Sequence, residues 1–265
     1  MRTPVALAAL VTAGALAAQE APRRAAGLAP AVCADEEILE FGLECTAEEP
    51  CPVFLELSGV AAAGARIFVT GNLHTATATL WSVLAVSEDG GKTWSEPQAR
   101  LRGAALDLIQ FIDADTGWAA GQIAGALPKD PFLLKTVDGG KTWRRMAVFE
   151  ESSYGAVEQF HFESKTQGWL VVDRRGARNQ RYQRMETMSG GESWMLREAS
   201  AAPMAAAKPR PAEWRIRVDG AAKLHWVERR QEGKWSAVAS FAVRGGECRP
   251  APPKAEEGAK EPEEK

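Results

Sequence analysis

Three nine-residue phrases carry the groups in this chain that could do chemistry: SEDGGKTWS at 87–95, TVDGGKTWR at 136–144 and TMSGGESWM at 187–195. Asp89 and Asp138 could bind a metal or act in acid–base catalysis. Gly139-Gly140-Lys141-Thr142 also looks like the end of a phosphate-binding loop, but the earlier glycine is missing and no helix opens after it. The same residues suit a tight turn. An aspartate there accepts hydrogen bonds from the turn's own N–H groups, and the glycine pair permits positive φ. The Thr hydroxyl adds local bonding, and the Trp packs into the sheet beside it. Asp89 and Asp138 are therefore read as turn architecture. Ser189 replaces the carboxylate in the third copy, which predicts a hairpin held less firmly.

Other constellations are weaker. His74, His161 and His225 lie far apart, and there is neither a Gly-x-Ser-x-Gly elbow nor an HExxH pair. His161 alternates with apolar neighbours and reads as a packed strand residue. Of the two tyrosines, Tyr154 and Tyr182, the first stands four residues before Glu158, in the lead-in to a strand. No catalytic residue, cofactor site or metal site is expected.

The phrases recur because the chain is built from repeats. Their tryptophans, Trp94, Trp143 and Trp194, are spaced by 49 and 51 residues, and a second marker keeps step with them. Thr116-Gly117-Trp118 and Gln167-Gly168-Trp169 precede the phrase tryptophan by 25 residues, and Phe68 holds the matching place 26 residues before Trp94. A period of about fifty residues predicts an all-β propeller of about four four-stranded blades. The second repeat parses into DLIQFID, GWAAGQ, PFLLKTV and TWRRMAV, and the third into VEQFHFE, GWLVVDR, YQRMETM and SWMLREA. The first runs from about Val53 to Gln98. The last is degenerate, with three strands (EWRIRVDG, KLHWVER, KWSAVASFAV) and no phrase. The segment EEILEFGLEC at 36–45 is expected as a leftover strand that completes another blade from the opposite end of the chain, which would remove exposed edges.

All four cysteines, Cys33, Cys45, Cys51 and Cys248, lie at the two ends of the domain. Two disulfides are the first expectation, and four cysteines allow three pairings. The short CTAEEPC stretch favours Cys45–Cys51, leaving Cys33 with Cys248, a bridge that would pin the ring closure. A zinc site is the alternative, without a CxxC pair or nearby His to support it.

The phrase S/T-x-D-x-G-x-T-W resembles the Asp-box, or bacterial neuraminidase repeat. Ser87, Asp89, Gly91, Thr93 and Trp94 match it, as do Thr136, Asp138, Gly140, Thr142 and Trp143; the third copy keeps Thr187, Gly191, Ser193 and Trp194. The resemblance implies that each box joins the third and fourth strands of a blade, at the rim and away from the active face. The paired signature TGW…LLKTVDGGKTW is most similar to repeats of photosystem II assembly and stability factors, over about residues 53–198. Exported bacterial proteins share this repeat type, so photosynthesis is not implied. Sialidases are the enzymatic relatives, and they require an arginine triad, a Tyr–Glu nucleophile pair and an acid Asp. Their Arg-Ile-Pro start is missing here, and the chain is short for a six-bladed catalytic ring. A non-enzymatic binding or assembly-scaffold propeller is the expectation, with a sialidase-like glycoside hydrolase or carbohydrate binder as the alternative.

A partner would meet the face away from the boxes, where loops between second and third strands gather: NLHTATAT (72–79), QIAGALPKDP (122–131) and RRGARNQR (174–181). The third concentrates Arg174, Arg175, Arg178 and Arg181, with Arg184 just beyond. Guanidinium forks suit carboxylates or phosphates on a protein partner. His74 and Lys129 are expected on the same face. The net charge of −3 is too mild to imply nucleic acid. Residues 1–18, with Arg2 and an apolar run from about Val5 to Ala18, read as a secretory signal, too short to be a membrane span. Residues 249–265 mix Pro, Lys and Glu without a large apolar residue and read as a solvated tail. The folded domain is then 33–248, exported to the periplasm or beyond, with a protein partner and glycan as the second ligand class.

Overall fold

The computed structural model describes residues 27–177, 179–205 and 212–251. The signal expected over 1–18, Arg178 and most of the expected tail lie outside them. After β1 (Ala31–Val32) and a short helix α1 (Asp35–Glu40), the first blade consists of β2 (Cys51–Ala63), β3 (Arg66–His74) and β4 (Thr79–Ser87). The second is β5 (Ala104–Phe111), β6 (Gly117–Ile123), β7 (Lys129–Thr136) and β8 (Arg144–Ala147). The third is β9 (Ala156–Phe162), β10 (Gly168–Asp173), β11 (Tyr182–Thr187) and β12 (Met195–Ser200). The fourth has only β13 (Trp214–Asp219), β14 (Leu224–Gln231) and β15 (Lys234–Ala242), and β16 (Arg244–Cys248) leaves it. Each blade is an antiparallel meander, and together they make a four-bladed β-propeller.

Packing between blades follows the two sequence markers. The aromatic residue of the second strand enters the seam ahead of it: Phe68 stacks on Phe111 at 4.6 Å between ring centroids, and Trp118 on Phe162 at 3.7 Å with planes 2° apart. The phrase hairpin of the following blade then covers it. Gly140, at φ 85°, lies so close that a Cβ there would come within 2.4 Å of the Phe68 ring, so only glycine fits. The Trp118 indole N–H donates to the Gly190 carbonyl at 3.0 Å. The first hairpin leans the same way across the closure, with Gly91 against Val238 and Ala239 of β15. One apolar core accordingly joins Leu55 and Val83 to Val227, Ala239 and Phe241, and another joins Trp118 and Leu133 to Phe162 and Leu170. Trp169 is the exception: the fourth blade has no phrase, and among the described residues no such hairpin covers it.

The ring closes by a different exchange of strands from the one the sequence suggests. Residues 36–45 form no strand; α1 occupies Asp35–Glu40 and a loop follows. Three acidic residues in its first turn complement the positive helix end, Glu37 accepts the Ala34 N–H at 3.0 Å, and Ile38 is buried. Glu37 and Glu40, three apart, face one way and both meet Arg102. The traded strand comes instead from the C-terminus: β16 pairs antiparallel with β2, and β1 adds to it in parallel. The fourth blade therefore keeps three strands. In the first blade the outermost strand is reduced to a single bridge, Val86 to Ser95. Disulfides join Cys33 to Cys248 and Cys45 to Cys51 and tie both chain ends to this sheet. Such bonds persist in oxidising compartments. No described helix is long and apolar enough to cross a membrane.

Candidate binding face and channel mouth

The repeated phrases sit at one end of the ring, on the turns between third and fourth strands. Asp89 accepts hydrogen bonds from the backbone N–H of Thr93 at 2.9 Å, its hydroxyl at 2.7 Å, the Lys92 N–H and the Ser87 hydroxyl. Asp138 is held the same way by Thr142, Lys141 and Thr136. The Thr93 N–H and hydroxyl hold Asp89 down to about 2, and the Thr142 hydroxyl and N–H hold Asp138 down to about 2. In the third hairpin Ser189 accepts only the Ser193 N–H at 3.0 Å and exchanges bonds with the Ser193 and Thr187 hydroxyls. Trp94 and Trp143 return their indole N–H to the Gly91 and Gly140 carbonyls. These carboxylates are filled by their own turns, and no described group of three or more His, Cys, Asp or Glu residues is arranged to hold a metal.

The opposite end carries the loops between second and third strands, 75–78, 124–128 and 174–181. His74 is half-buried, with Nδ1 2.8 Å from the Thr75 carbonyl and its ring against Phe54. Lys129 is exposed and bridged through its backbone to Tyr154. The arginines of the third loop are not bare charges. Arg181 grips Asp173 with Nε and Nη2 at 2.7 and 2.8 Å, and Arg175 adds a bond at 3.3 Å. Arg174 lies over the Phe149 ring and reaches Gln183. Arg184 lies over Trp169 at 4.9 Å and near Glu186. Asp173 is 1 % exposed, so its charge is compensated inside the fold. Arg181, ahead of burial, keeps its carboxyl below the usual range.

The first strands β2, β5, β9 and β13 line a central channel of about 900 Å³, with Asp107, Glu158, His161, Trp169, Trp214 and Arg215 on its wall. Ser58, Asp107 and Glu158 are the extra residues at the bulges of β2, β5 and β9. They stand 49 and 51 residues apart, the spacing of the phrases, so each of the first three repeats delivers one polar side chain to the channel. A second polar residue follows the second-strand marker by four positions: Asn72, Gln122 and Asp173. Asn72 donates to Glu56 at 3.2 Å and Gln122 to Asp107 at 2.6 Å. Burial raises Asp107, against the Gln122 bond, and the nearby charge of Glu56 raises it further. Burial also raises Glu158, and the Asp173 charge adds to it. The sequence reading missed these pairs, although the repeat arithmetic contained them. They become visible when positions four after each marker are compared across repeats.

No family profile and no curated protein sequence matches the chain. Solved structures do. The chain is similar to YCF48 bound to a D1 peptide at 15% identity and TM-score 0.40, over 71% of this chain and 53% of that one. It is similar to the GH74 xyloglucanase from Xanthomonas campestris at 16% identity and TM-score 0.41, over 69% and 28%. The Penicillium chrysogenum α-L-arabinanase complexed with arabinobiose follows at 12% identity and TM-score 0.39, over 73% and 62%. The chain thus spans 28% to 62% of the lengths of these three.

Proposed function

We propose that this protein is an exported, non-enzymatic propeller that binds another protein through its loop face, with hairpins of the Asp-box type as its frame. In this reading residues 1–18 direct export to the periplasm or beyond, and 249–265 form a solvated tail. The hairpins hold the blades together and leave the opposite face to the partner. The observation that carries the reading is how the arginines around the channel are used. Asp173 takes Arg175 and Arg181, and Glu228 takes Arg215 and Arg217 at 2.7 and 2.8 Å. A sialidase triad needs guanidinium forks open to a substrate carboxylate, and these four are engaged. Tyr182 is 6 % exposed under Arg181, and Tyr154 is 57 % exposed on the rim. The test is capture from the native envelope fraction with the tagged protein. Stoichiometric recovery of one protein, lost on Arg174→Ala with Arg184→Ala, is expected; recovery unchanged by the pair would remove the loop face from the reading.

One observation favours glycan hydrolysis or binding as a second reading. Glu158 is raised by burial while its neighbour Asp173 is lowered by Arg181, and carboxyls driven apart in this way suit acid and base roles. Turnover of fluorogenic sialosides or arabinosides, abolished by Glu158→Gln, would establish it and displace the first.

A further inference from the structure

Trp169 is a repeat residue released from the task its counterparts perform. In the first two blades the second-strand aromatic is spent on the seam. Phe68 and Trp118 are fully buried, each stacked on a phenylalanine of the next blade and met by that blade's hairpin. Trp169 holds the same position but faces a blade without a phrase, and it stays half-buried on the wall of the channel. Trp214, at the start of β13, is half-buried on the wall of the same channel. A cavity of about 900 Å³ thus carries two part-open indoles, one from each blade at the seam where the phrase is missing. Neither ring hangs loose. The Arg184 guanidinium lies 4.9 Å over Trp169 and that of Arg229, directly across the ladder, 5.4 Å over Trp214.

The polar groups on that wall can both give and accept hydrogen bonds. Among the described residues Arg215 bonds Glu228 through Nε alone, which leaves its Nη groups as donors. Gln159 gives its amide nitrogen to the Met204 carbonyl at 3.5 Å, which leaves its own carbonyl as an acceptor. The exposed Glu158 carboxylate accepts, and the His161 imidazole can do either. Gln110, by contrast, is spent in both directions on the Phe162 backbone, at 2.9 Å each way, and ties β5 to β9 so that the wall is preformed. Apolar platforms ringed by mixed donors and acceptors suit a ligand with apolar ring faces and hydroxyl edges. We infer that Trp169 and Trp214 are stacking platforms for the sugar rings of a neutral oligosaccharide held in the channel, with Glu158, Gln159, His161 and Arg215 bonding its hydroxyls. A hydroxyl donates and accepts, so it answers both kinds of group without bringing in a charge. Asp107 and Glu158 on the same wall oppose an anionic strand such as a nucleic acid.

The inference rests on the glycan reading and names the class of sugar and the residues that stack on it. It is tested on the full chain by calorimetric titration with cellohexaose, maltohexaose, laminarihexaose and the oligonucleotide dT8, at a temperature where unfolding curves show every variant folded. At least one hexaose is expected to bind, weakening on the order of tenfold in Trp169→Ala and in Trp214→Ala. Trp169→Tyr, which keeps an aromatic platform, is expected to recover most of the loss. Absence of hexaose binding, binding indifferent to both alanine variants, or dT8 binding with the same tryptophan dependence would overturn the inference. Turnover separates the two levels. Hydrolysis of a sialoside or arabinoside that is lost in Glu158→Gln but unchanged in both alanine variants sinks the platforms and leaves the glycan reading standing.

Discussion

Trp118 and Trp169 occupy the same place in successive repeats, and the structure predicts that removing them has unequal consequences. Trp118 is 0 % exposed, lies flat on Phe162, and donates its indole N–H to Gly190 in the next hairpin. Trp118→Ala opens a cavity in that seam and leaves the Gly190 carbonyl unpaired, a cost of about 3–5 kcal/mol. For a folded region of this size that is a fall of about 6–20 °C in Tm. Trp118→Phe keeps a ring in place and isolates the hydrogen bond, at about 1–2 kcal/mol. Trp169 is only half-buried, with the Arg184 guanidinium 4.9 Å over it and the His161 ring 6.1 Å away, and no hairpin among the described residues caps it. Trp169→Ala should cost about 1–2 kcal/mol, about half from partial burial and half from the cation–π contact. Urea unfolding of the three variants, with m-values compared to wild type, measures the ordering directly. If Trp169→Ala is as costly as Trp118→Ala, the fourth blade supplies a cap, and the seams do not differ in the way their hairpins imply.

Further consequences concern the hairpins and the closure. Asp138 has a folded pKa of about 2 against an ordinary 3.8, so its contribution is fully present above about pH 4 and is lost as pH falls through about 2. The stability gap between wild type and Asp138→Asn should shrink over that interval, and a gap independent of pH would contradict the hydrogen-bond assignment. Ser189→Asp restores the missing acceptor in the third hairpin and should raise stability at pH 7 by about 0.5–1 kcal/mol in urea melts, a gain that fades over the same acid range. The Cys33–Cys248 bridge spans 215 residues and the Cys45–Cys51 bridge six. Cys33→Ser with Cys248→Ser should therefore cost about 2–4 kcal/mol and the short pair clearly less, as read by thermal unfolding under matched oxidising conditions.

The blade count, the strand order within each repeat and the hairpin turns were legible because they depend on local pattern. Two markers at constant separation specify which residues turn, which insert into a seam and which face outward. The closure was not legible for the same reason. Residues 36–45 are expected from the sequence to complete the last blade, but it keeps three strands, and the segment that crosses between chain ends is 244–248 on β2, where RGGEC carries two glycines and little strand propensity. It is held there by Cys248 and by the partners it meets across the sheet, which no window of sequence displays. Residues 36–45 instead begin with Glu36 and Glu37, which with Asp35 sit in the first turn of a helix, where the backbone gives acids hydrogen-bond donors that a strand would not.

The candidate site divides along the same line. A run of arginines in 174–184 stands out by composition, yet its charge is largely answered by Asp173, a single acid at a strand end. Glu56, Asp107 and Gln122 are unremarkable in their neighbourhoods, lying one per strand in three different strands. What distinguishes them is a partner on another strand, Asn72 for Glu56 and Gln122 for Asp107, and that emerges only when the strands are brought together. Charge density in a sequence locates groups that can pair; a binding site is found where groups remain unpaired after folding. By that criterion Arg175 and Arg181, spent on Asp173, order the rim of the third blade, while Arg174 and Arg184, which lie over the Phe149 and Trp169 rings, are the cations the loop face has left to offer a partner.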